Sequence, residues 1–464
     1  MAGSPGPAVG GVPPAREPLR VRVLTEDGPE GPPTAQRVPP GTVGLRVTGL
    51  PRIPRALLSR TRPPSTPYGI LRLAEEASAL TFIGPAASLR SLPETWSRSS
   101  RSLVPLAGAA ERALDRFLSR AAQRWRLAHG RELVVGGEPR IMGVVNVTPD
   151  SFFDGGRLRT TDQAVAHARD LAEQGAALLD IGGESTRPGA RPLPPSQELR
   201  RVLPVVERLA RTTELLLSVD TRNAEVARRA LRAGAHVVND VGGFRDASLR
   251  RVVRREEAGA VVMHMRGTPR TMQRNLRYAD LRGEVYAFLE DRTRTAVDEG
   301  IPPEALVVDP GLGFGKSFEG TLELLGHVGE FRSLGFPVLV GASRKGFLGA
   351  LLGGAPPAER LEASVAAALL AVERGAALVR VHDVGPTARA LRVLSALRGG
   401  SAGDGPSGDG GTGGSPAGTT GGWPPPGSGG APPPAGQRRR PGARAPAPGP
   451  RRRRAAHGAP AGHG

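Results

Sequence analysis

The sequence contains no cysteine. That excludes a disulfide scaffold, zinc fingers, iron–sulfur ligation and thiol catalysis. Lysine is nearly missing: of 63 basic residues only Lys316 and Lys345 are lysine, and there are four Asn. Near-total use of Arg, beside abundant Ala, Gly and Pro, points to a GC-rich genome. The net charge of +19 is therefore discounted as a nucleic-acid signature. A residue type made so scarce is informative where it survives. Aromatic residues make up 4% of the chain. No uninterrupted apolar run reaches about 18 residues, so no membrane-spanning helix is predicted. The N-terminus, MAGSPGPAVGGVPPAREP, lacks a charged region followed by an apolar one. No signal peptide is expected there, and the default location is the cytoplasm.

What is present is unevenly distributed. A chain of 464 residues allows two or three domains. Residues 1–45 are rich in Pro and Gly and are predicted to be mostly loop or disorder. Residues 46–137 alternate short apolar stretches with Arg-rich helical ones, and a small N-terminal α/β module of unassigned role is expected there. Ala79–Ile83 is its predicted strand, and Ala107–Leu127 has helical spacing through Leu114, Phe117, Leu118 and Ala121. Residues 399–464 lack apolar periodicity and carry two Arg clusters, Arg438–Arg440 and Arg451–Arg454. Such a segment cannot bury enough apolar surface to offset chain entropy. It is expected to be a disordered, solvated tail. Weak nucleic-acid or anionic-surface binding is the alternative.

Residues 138–398 repeat one pattern: a short β-branched run, a polar or Gly-rich turn, then a helical stretch. The predicted strands are Ile141–Val145, Ala177–Ile181, Leu215–Val219, His236–Val238, Ala260–Met263, Leu306–Val308, Val338–Val340 and Leu378–Val381. Between them, Ser196 is expected to cap a helix whose Leu199, Val202, Leu203, Val206 and Leu209 share a face. Gly175, Gly234 and Gly300 stand where left-handed helix ends are wanted. Alternating strand and helix implies a parallel sheet. Eight units over about 260 residues fit a closed (β/α)8 TIM barrel, with an open doubly wound sheet as the rival.

In such a barrel the working residues lie at the C-terminal strand ends. Here nearly every end is chemically loaded. Asn146 follows strand 1, the run Gly182–Gly189 follows strand 2, and Asp220 ends strand 3. Asn239-Asp240 ends strand 4, Met263-His264 strand 5 and Asp309-Pro310-Gly311 strand 6. Ser343-Arg344-Lys345 ends strand 7, and strand 8 carries Arg380 and His382. Asp220, Asn239 and Asp309, with Lys345 nearby, suit a flat heterocycle bearing several N–H groups, since unsatisfied buried polar groups are costly. Arg187, Arg380 and His382 form a cationic rim suited to phosphate or pyrophosphate. Asn146 could join a Mg²⁺ shell completed by water and phosphate. Gly311–Ser317 imitates a P-loop, but Pro310 stands where the first Gly is required, so nucleotide binding of that type is not expected. His264, between two Met, reads as a packed or hydrogen-bonded core residue rather than a metal ligand.

At these residues the chain resembles the dihydropteroate synthase family. The resemblance rests on Ile141–Gly156 (IMGVVNVTPDSFFDGG), Asp180–Ala190 (DIGGESTRPGA), Ser218–Thr221 (SVDT) and Asn239-Asp240. It continues through Met263–Met265 (MHM), Asp309–Lys316 (DPGLGFGK), Gly341–Lys345 (GASRK) and Arg380–Val384 (RVHDV). It implies a transferase of folate biosynthesis, and so a target of sulfonamides. Such an enzyme joins 6-hydroxymethyl-7,8-dihydropterin diphosphate to 4-aminobenzoate and releases diphosphate. By motif position, Asp220, Asn239, Asp309 and Lys345 would hold the pterin, flanked by Met263 and Arg380. Asn146, Thr186, Arg380 and His382 would hold the diphosphate, with Asn146 on Mg²⁺. Thr186, Arg187, Phe314, Ser343 and Lys345 would frame the aminobenzoate. Lys345, Asp309 and Arg187 are the expected catalytic residues, and a homodimer is expected. Two positions depart from the family pattern: Phe153 stands where many members have Ser, and Gly346 where some do. The alternatives are a pterin-binding methyltransferase barrel and a non-catalytic pterin-binding homologue.

Overall fold

A four-stranded and an eight-stranded sheet, with a two-stranded hairpin between them in sequence, organise the described residues. The computed structural model describes residues 19–25, 42–49, 58, 72–75, 79–119, 121–147, 160–186, 189–190 and 192–398. These fall within one unit, Met1–Gly403. The predicted tail, 399–464, lies outside the described residues, as do Phe153 and Arg187. No described helix is long and apolar enough to cross a membrane.

The first sheet is antiparallel, in the order β1 (Arg20–Leu24), β2 (Val43–Thr48), β4 (Ala79–Gly84), β3 (Arg72–Glu75). Its first strand falls in the segment expected to be mostly loop. Val21, Val23 and Leu24 bury against neighbouring elements, and that tertiary cover is not visible in a Pro- and Gly-rich local sequence. Helices α1 (Ala86–Leu89), α2 (Leu92–Ser99) and α3 (Val104–Leu118) follow, and Trp96 packs on Phe82 with ring centroids 5.1 Å apart. The helical spacing read over Ala107–Leu127 therefore overruns. The helix stops at Leu118, and Gln123–Arg126 is strand β5, paired with β6 (Glu132–Val135).

That hairpin had been assigned by sequence to the N-terminal module, yet it serves the second sheet. Trp125 is fully buried, donates to the Ala305 carbonyl at 2.9 Å, and packs with Met142, Leu178, Val261 and Leu378.

The second sheet is a (β/α)8 barrel. Its strands are β7 (Arg140–Asn146), β8 (Leu178–Gly182), β9 (Leu216–Asp220), β10 (Val237–Asp240), β11 (Gly259–Met263), β12 (Leu306–Asp309), β13 (Leu339–Val340) and β14 (Leu378–Val381). All pair in parallel, and a parallel bridge between Val308 and Val338 closes the ring. The surrounding helices are α4 (Thr161–Glu173), α5 (Pro195–Thr212), α6 (Ala224–Arg232), α7 (Ala247–Arg255), α8 (Leu281–Asp298), α9 (Phe318–Gly326), α10 (Gly346–Leu351), α11 (Leu361–Glu373) and α12 (Val384–Leu397). The α5 helix begins two residues earlier than a Ser196 cap would place it. Proline at its first position supplies the preset φ, so Ser196 lies inside the first turn and does not cap it. Leu203 is only half-buried, and Val205 takes the inward position instead. Gly175, Gly234 and Gly300 do adopt positive φ after their helices.

The N-terminal sheet docks on α8. Arg20 donates to Glu290 at 2.8 Å and to Asp291 at 3.0 Å, and Arg22 reaches Asp280 at 3.2 Å. On the same side Arg116 donates to the Leu334 carbonyl at 3.2 Å. The module is thus held by ion pairs as well as apolar contact.

Strand periodicity sets the contents of the barrel. Successive side chains on a strand point to opposite faces. Ile141, Val145, Leu179, Ile181, Val219 and Val308 face outward and pack in the core that includes the helices. Met142, Leu178, Leu216, Val237, Val261, Val307, Leu339 and Leu378 form one apolar cluster with Trp125. Two residues further along each strand stand Val144, Asp180, Ser218, Asn239, Met263, Asp309, Gly341 and Arg380. The lumen therefore changes from apolar to polar in one step of the pleat.

Candidate active site

A cavity of about 570 Å³ opens at the C-terminal ends of the strands. Asn146, Thr186, Asp220, Asn239, Met263, Asp309, Phe314, Ser343, Lys345, Arg380 and His382 all line it. Sequence position had singled out each of them. Arg187, the remaining residue of the expected set, lies outside the described residues. Neighbouring strand-end residues turn elsewhere, as alternation requires. Asp240 accepts from the backbone N–H of Gly242 at 2.6 Å and Phe244 at 2.7 Å, so it shapes the loop after β10.

The floor of the site is a charged network. Arg380 donates through Nε to Asp180 at 2.7 Å and through Nη2 to Asp220 at 3.0 Å. Asp180 is fully buried and also accepts from Ser218 Oγ at 2.6 Å and Asn239 Nδ2 at 2.9 Å. Arg380 is thus turned into the lumen between two carboxylates, lower than a purely cationic rim would hold it. Burial, with the Asp180 charge beside it, pushes the Asp220 carboxyl up to about 7 against the pull of Arg380. A Cβ placed on Gly182 would lie 3.5 Å from Asn146 Oδ1 and 3.7 Å from Asp220 Oδ2. That glycine keeps the space between the two oxygens open.

The other wall comes from the loops after β12 and β13. Asp309 accepts from Gly311 N at 2.7 Å, and burial raises its carboxyl above the ordinary value while Lys345 pulls it down. Lys345 donates to the Leu312 carbonyl at 2.6 Å and sits 4.5 Å from the Phe314 ring centroid. Burial lowers its ammonium to about 8, opposed by Asp309, so it remains largely charged at neutral pH. Ser343 Oγ and His382 Nδ1 are 3.1 Å apart. Between Ser343 and Lys345, Arg344 takes φ of 58°, an unfavourable region for a non-glycine residue. Asp383 holds its guanidinium at 2.5 and 2.9 Å, and Ser364 Oγ accepts from its N–H at 2.9 Å. The reversal lets Ser343 and Lys345 both border the cavity.

Several working residues escaped the sequence reading. Asp180 and Ser218 lie inside strands rather than at their ends. The available signal was a carboxylate in an otherwise apolar buried strand. Glu184 accepts from Arg222 at 3.0 Å and from Leu193 N at 3.0 Å, tying the start of the loop after β8 to its end. Lys316 is buried, with Nζ 2.7 Å from the Pro310 and Gly311 carbonyls and 2.8 Å from His264 Nδ1. Its amine is spent inside the protein, which accords with the rejection of a P-loop and with a hydrogen-bonded His264. Among the described residues no cluster of three or more His, Cys, Asp or Glu could hold a metal ion.

The site can therefore grip a flat polar heterocycle by acceptors on one side and a lysine on the other. Apolar contact would come from Met263 and Phe314. The family model for pterin binding enzymes matches residues 142–382. Dihydropteroate synthase of Escherichia coli (strain K12) is 42% identical over 258 residues, covering 56% of this chain and 91% of that protein. The Neisseria meningitidis serogroup B dihydropteroate synthase is 45% identical over 266 residues, covering 56% and 93%. Among solved structures, Xanthomonas albilineans dihydropteroate synthase with 4-aminobenzoic acid matches with a TM-score of 0.56 and 48% identity, covering 60% of this chain and 99% of that one. The Burkholderia cenocepacia dihydropteroate synthase complexed with 7,8-dihydropteroate matches at 0.54 and 44%, covering 60% and 97%. The family match runs from within β7 to just past β14 and takes in every strand end that lines the cavity, and on that ground this chain belongs to the family of pterin-binding enzymes.

Proposed function

We infer that the protein is a dihydropteroate synthase, a transferase of folate biosynthesis. It condenses 6-hydroxymethyl-7,8-dihydropterin diphosphate with 4-aminobenzoate to give 7,8-dihydropteroate and diphosphate. The observation that carries this reading is the convergence of Asp220, Asn239, Asp309 and Lys345 on one cavity with Ser343, Arg380 and His382. The carboxylates and amide match the N–H groups of the pterin, and Lys345 supplies a donor to its oxygen and ring nitrogen.

In the reaction the methylene C–O bond to diphosphate breaks, the aniline nitrogen forms a C–N bond to that carbon, and the amine gives up one proton. Positive charge develops on the ring as the anion leaves. The buried carboxylates Asp220 and Asp309 stabilise it, while His382 and Arg380 face the departing diphosphate. A bound aniline is already nucleophilic, so no activated Ser or Cys is needed. Phe314, Thr186, Arg187 and Ser343 would frame the aminobenzoate.

A single amide oxygen, Asn146 Oδ1, suits a hard cation that brings its other ligands with it. Mg²⁺ would then arrive with the diphosphate, be held by Asn146, and supply charge to the departing oxygens. The proposed assembly is a cytoplasmic homodimer. Leu370 on α11 and Val393 and Leu397 on α12 are exposed and supply apolar surface for a second copy. Sedimentation of the full chain distinguishes one copy from two.

The decisive assay measures diphosphate release by the purified chain with the pterin diphosphate and Mg²⁺, with and without 4-aminobenzoate. Release dependent on aminobenzoate, with dihydropteroate formed, is expected. Pterin binding without product would leave the non-catalytic homologue as the reading.

A further inference from the structure

A buried residue that never touches the cavity decides what the cavity offers. Asp180 has no exposed surface and is absent from the cavity lining, yet it contacts three groups at once. It accepts from Ser218 Oγ at 2.6 Å, Asn239 Nδ2 at 2.9 Å and Arg380 Nε at 2.7 Å. Two of those partners line the site.

An ionised carboxylate can only accept hydrogen bonds, whereas an amide has one accepting and one donating end. With its Nδ2 turned to Asp180, Asn239 is fixed with Oδ1 on the opposite side of the amide plane, facing away from Asp180 as an acceptor. Arg380 is constrained in the same way. Its Nε is committed to Asp180 and one Nη2 hydrogen to Asp220, which fixes the plane of the guanidinium in the lumen and leaves its other terminal hydrogens for a ligand. We propose that Asp180 is a positioning residue that fixes the hydrogen-bond polarity of Asn239 and the aim of Arg380, and so makes the floor of the site select a heterocycle that presents N–H donors there.

The chemistry is unusual enough to be specific. Asp180 comes from β8, Ser218 from β9, Asn239 from β10 and Arg380 from β14. One carboxylate thus sets donors from three other strands. Ser218 supplies a third bond to the buried charge and reaches no ligand itself, since it too is absent from the cavity lining. With Ser218, Asn239 and Arg380 all donating to it, Asp180 acts as an acceptor in every bond it makes.

This inference rests on the pterin-condensing reading, and its test separates the two. Binding of 6-hydroxymethylpterin would be measured by calorimetry for the parent, Asp180→Asn and the exchange Asp180→Asn/Asn239→Asp. In Asp180→Asn, residue 180 can donate, so Asn239 is free to flip and present its Nδ2 to the pterin. A loss of affinity of about tenfold or more is expected, the size of one hydrogen bond to a charged group. In the exchange, the amide at 180 donates to the carboxylate at 239, which again presents an acceptor to the cavity. Recovery of most of the lost affinity is expected. The KM for 4-aminobenzoate should stay within about twofold throughout, as only the pterin floor is altered. Thermal unfolding establishes that each variant is folded. If Asp180→Asn does not fold, the exchange keeps the total charge and tests the same pairing.

Asp180→Asn binding the pterin as tightly as the parent would overturn the proposal. So would an exchange no better than the single variant. A parent chain that binds no pterin would overturn the functional reading itself, which is a different result.

Discussion

Lys316 and His264 meet nitrogen to nitrogen at 2.8 Å beneath the loop that follows β12. Burial and the lysine charge hold the imidazole far down, to about 2, so His264 is neutral and accepts at Nδ1. Burial also pushes the Lys316 amine well below the usual lysine value, opposed by Asp309, and the same nitrogen donates to the carbonyls of His264, Pro310 and Gly311. Gly311 approaches so closely that a Cβ there would sit 2.0 Å from the His264 carbonyl oxygen, and its φ is 67°. Lys316→Met leaves these acceptors without a donor. A loss of about 3 kcal/mol in urea unfolding is expected, with kcat/KM reduced at least about tenfold through displacement of Asp309.

Glu198 makes stability depend on pH. It is buried beside Gly183, and burial pushes its carboxyl up from 4.5 to about 7, with Thr221 and Arg222 pulling it down and Glu184 adding to the rise. The folded state therefore favours the protonated acid. Its contribution is complete below the unfolded value and is lost as pH rises through about 7. Urea unfolding should show stability falling between pH 5 and 8, by up to about 3 kcal/mol from this group. Glu198→Gln should flatten that fall and be the more stable protein at pH 8. A variant with the same slope as the parent would refute the assignment.

Trp125 seals the far end of the barrel from the active site. Its removal opens a cavity among Met142, Leu178, Val261 and Leu378. Trp125→Ala should cost about 3–5 kcal/mol and lower the melting temperature. Below that temperature kcat should be little changed, because the site lies at the opposite ends of the strands.

Gly346 borders the cavity, and a Cβ there meets nothing within 4 Å. Gly346→Ser should fold as well as the parent. A serine hydroxyl at that place can donate to the aminobenzoate carboxylate, so KM for aminobenzoate should fall about threefold to fivefold with kcat nearly constant, the worth of one neutral hydrogen bond. An unchanged KM would show that the carboxylate lies elsewhere.

The sequence by itself determined the barrel and most of its chemistry. Eight β-branched runs alternating with amphipathic stretches left few architectures, and the strands form within one or two residues of where the pattern put them. Surviving Asn and Lys in an Arg-dominated chain marked Asn146, Asn239 and Lys345, because drift had removed such residues elsewhere. Local pattern also fixed which residues sit at strand ends. It singled out Asn239 over its neighbour Asp240, but the physical choice is made by the register of the closed ring, which turns Asn239 to the lumen and Asp240 to the loop after β10. Local pattern could not reveal Asp180, whose role exists only because Ser218, Asn239 and Arg380 arrive from three other strands. The same limit explains the N-terminal part. Arg20–Leu24 and Gln123–Arg126 become strands because α3, α8 and the barrel floor cover them, and that cover is assembled from residues far away in the chain. Periodicity is a property of neighbours in sequence, while burial and hydrogen-bond polarity belong to neighbours in space.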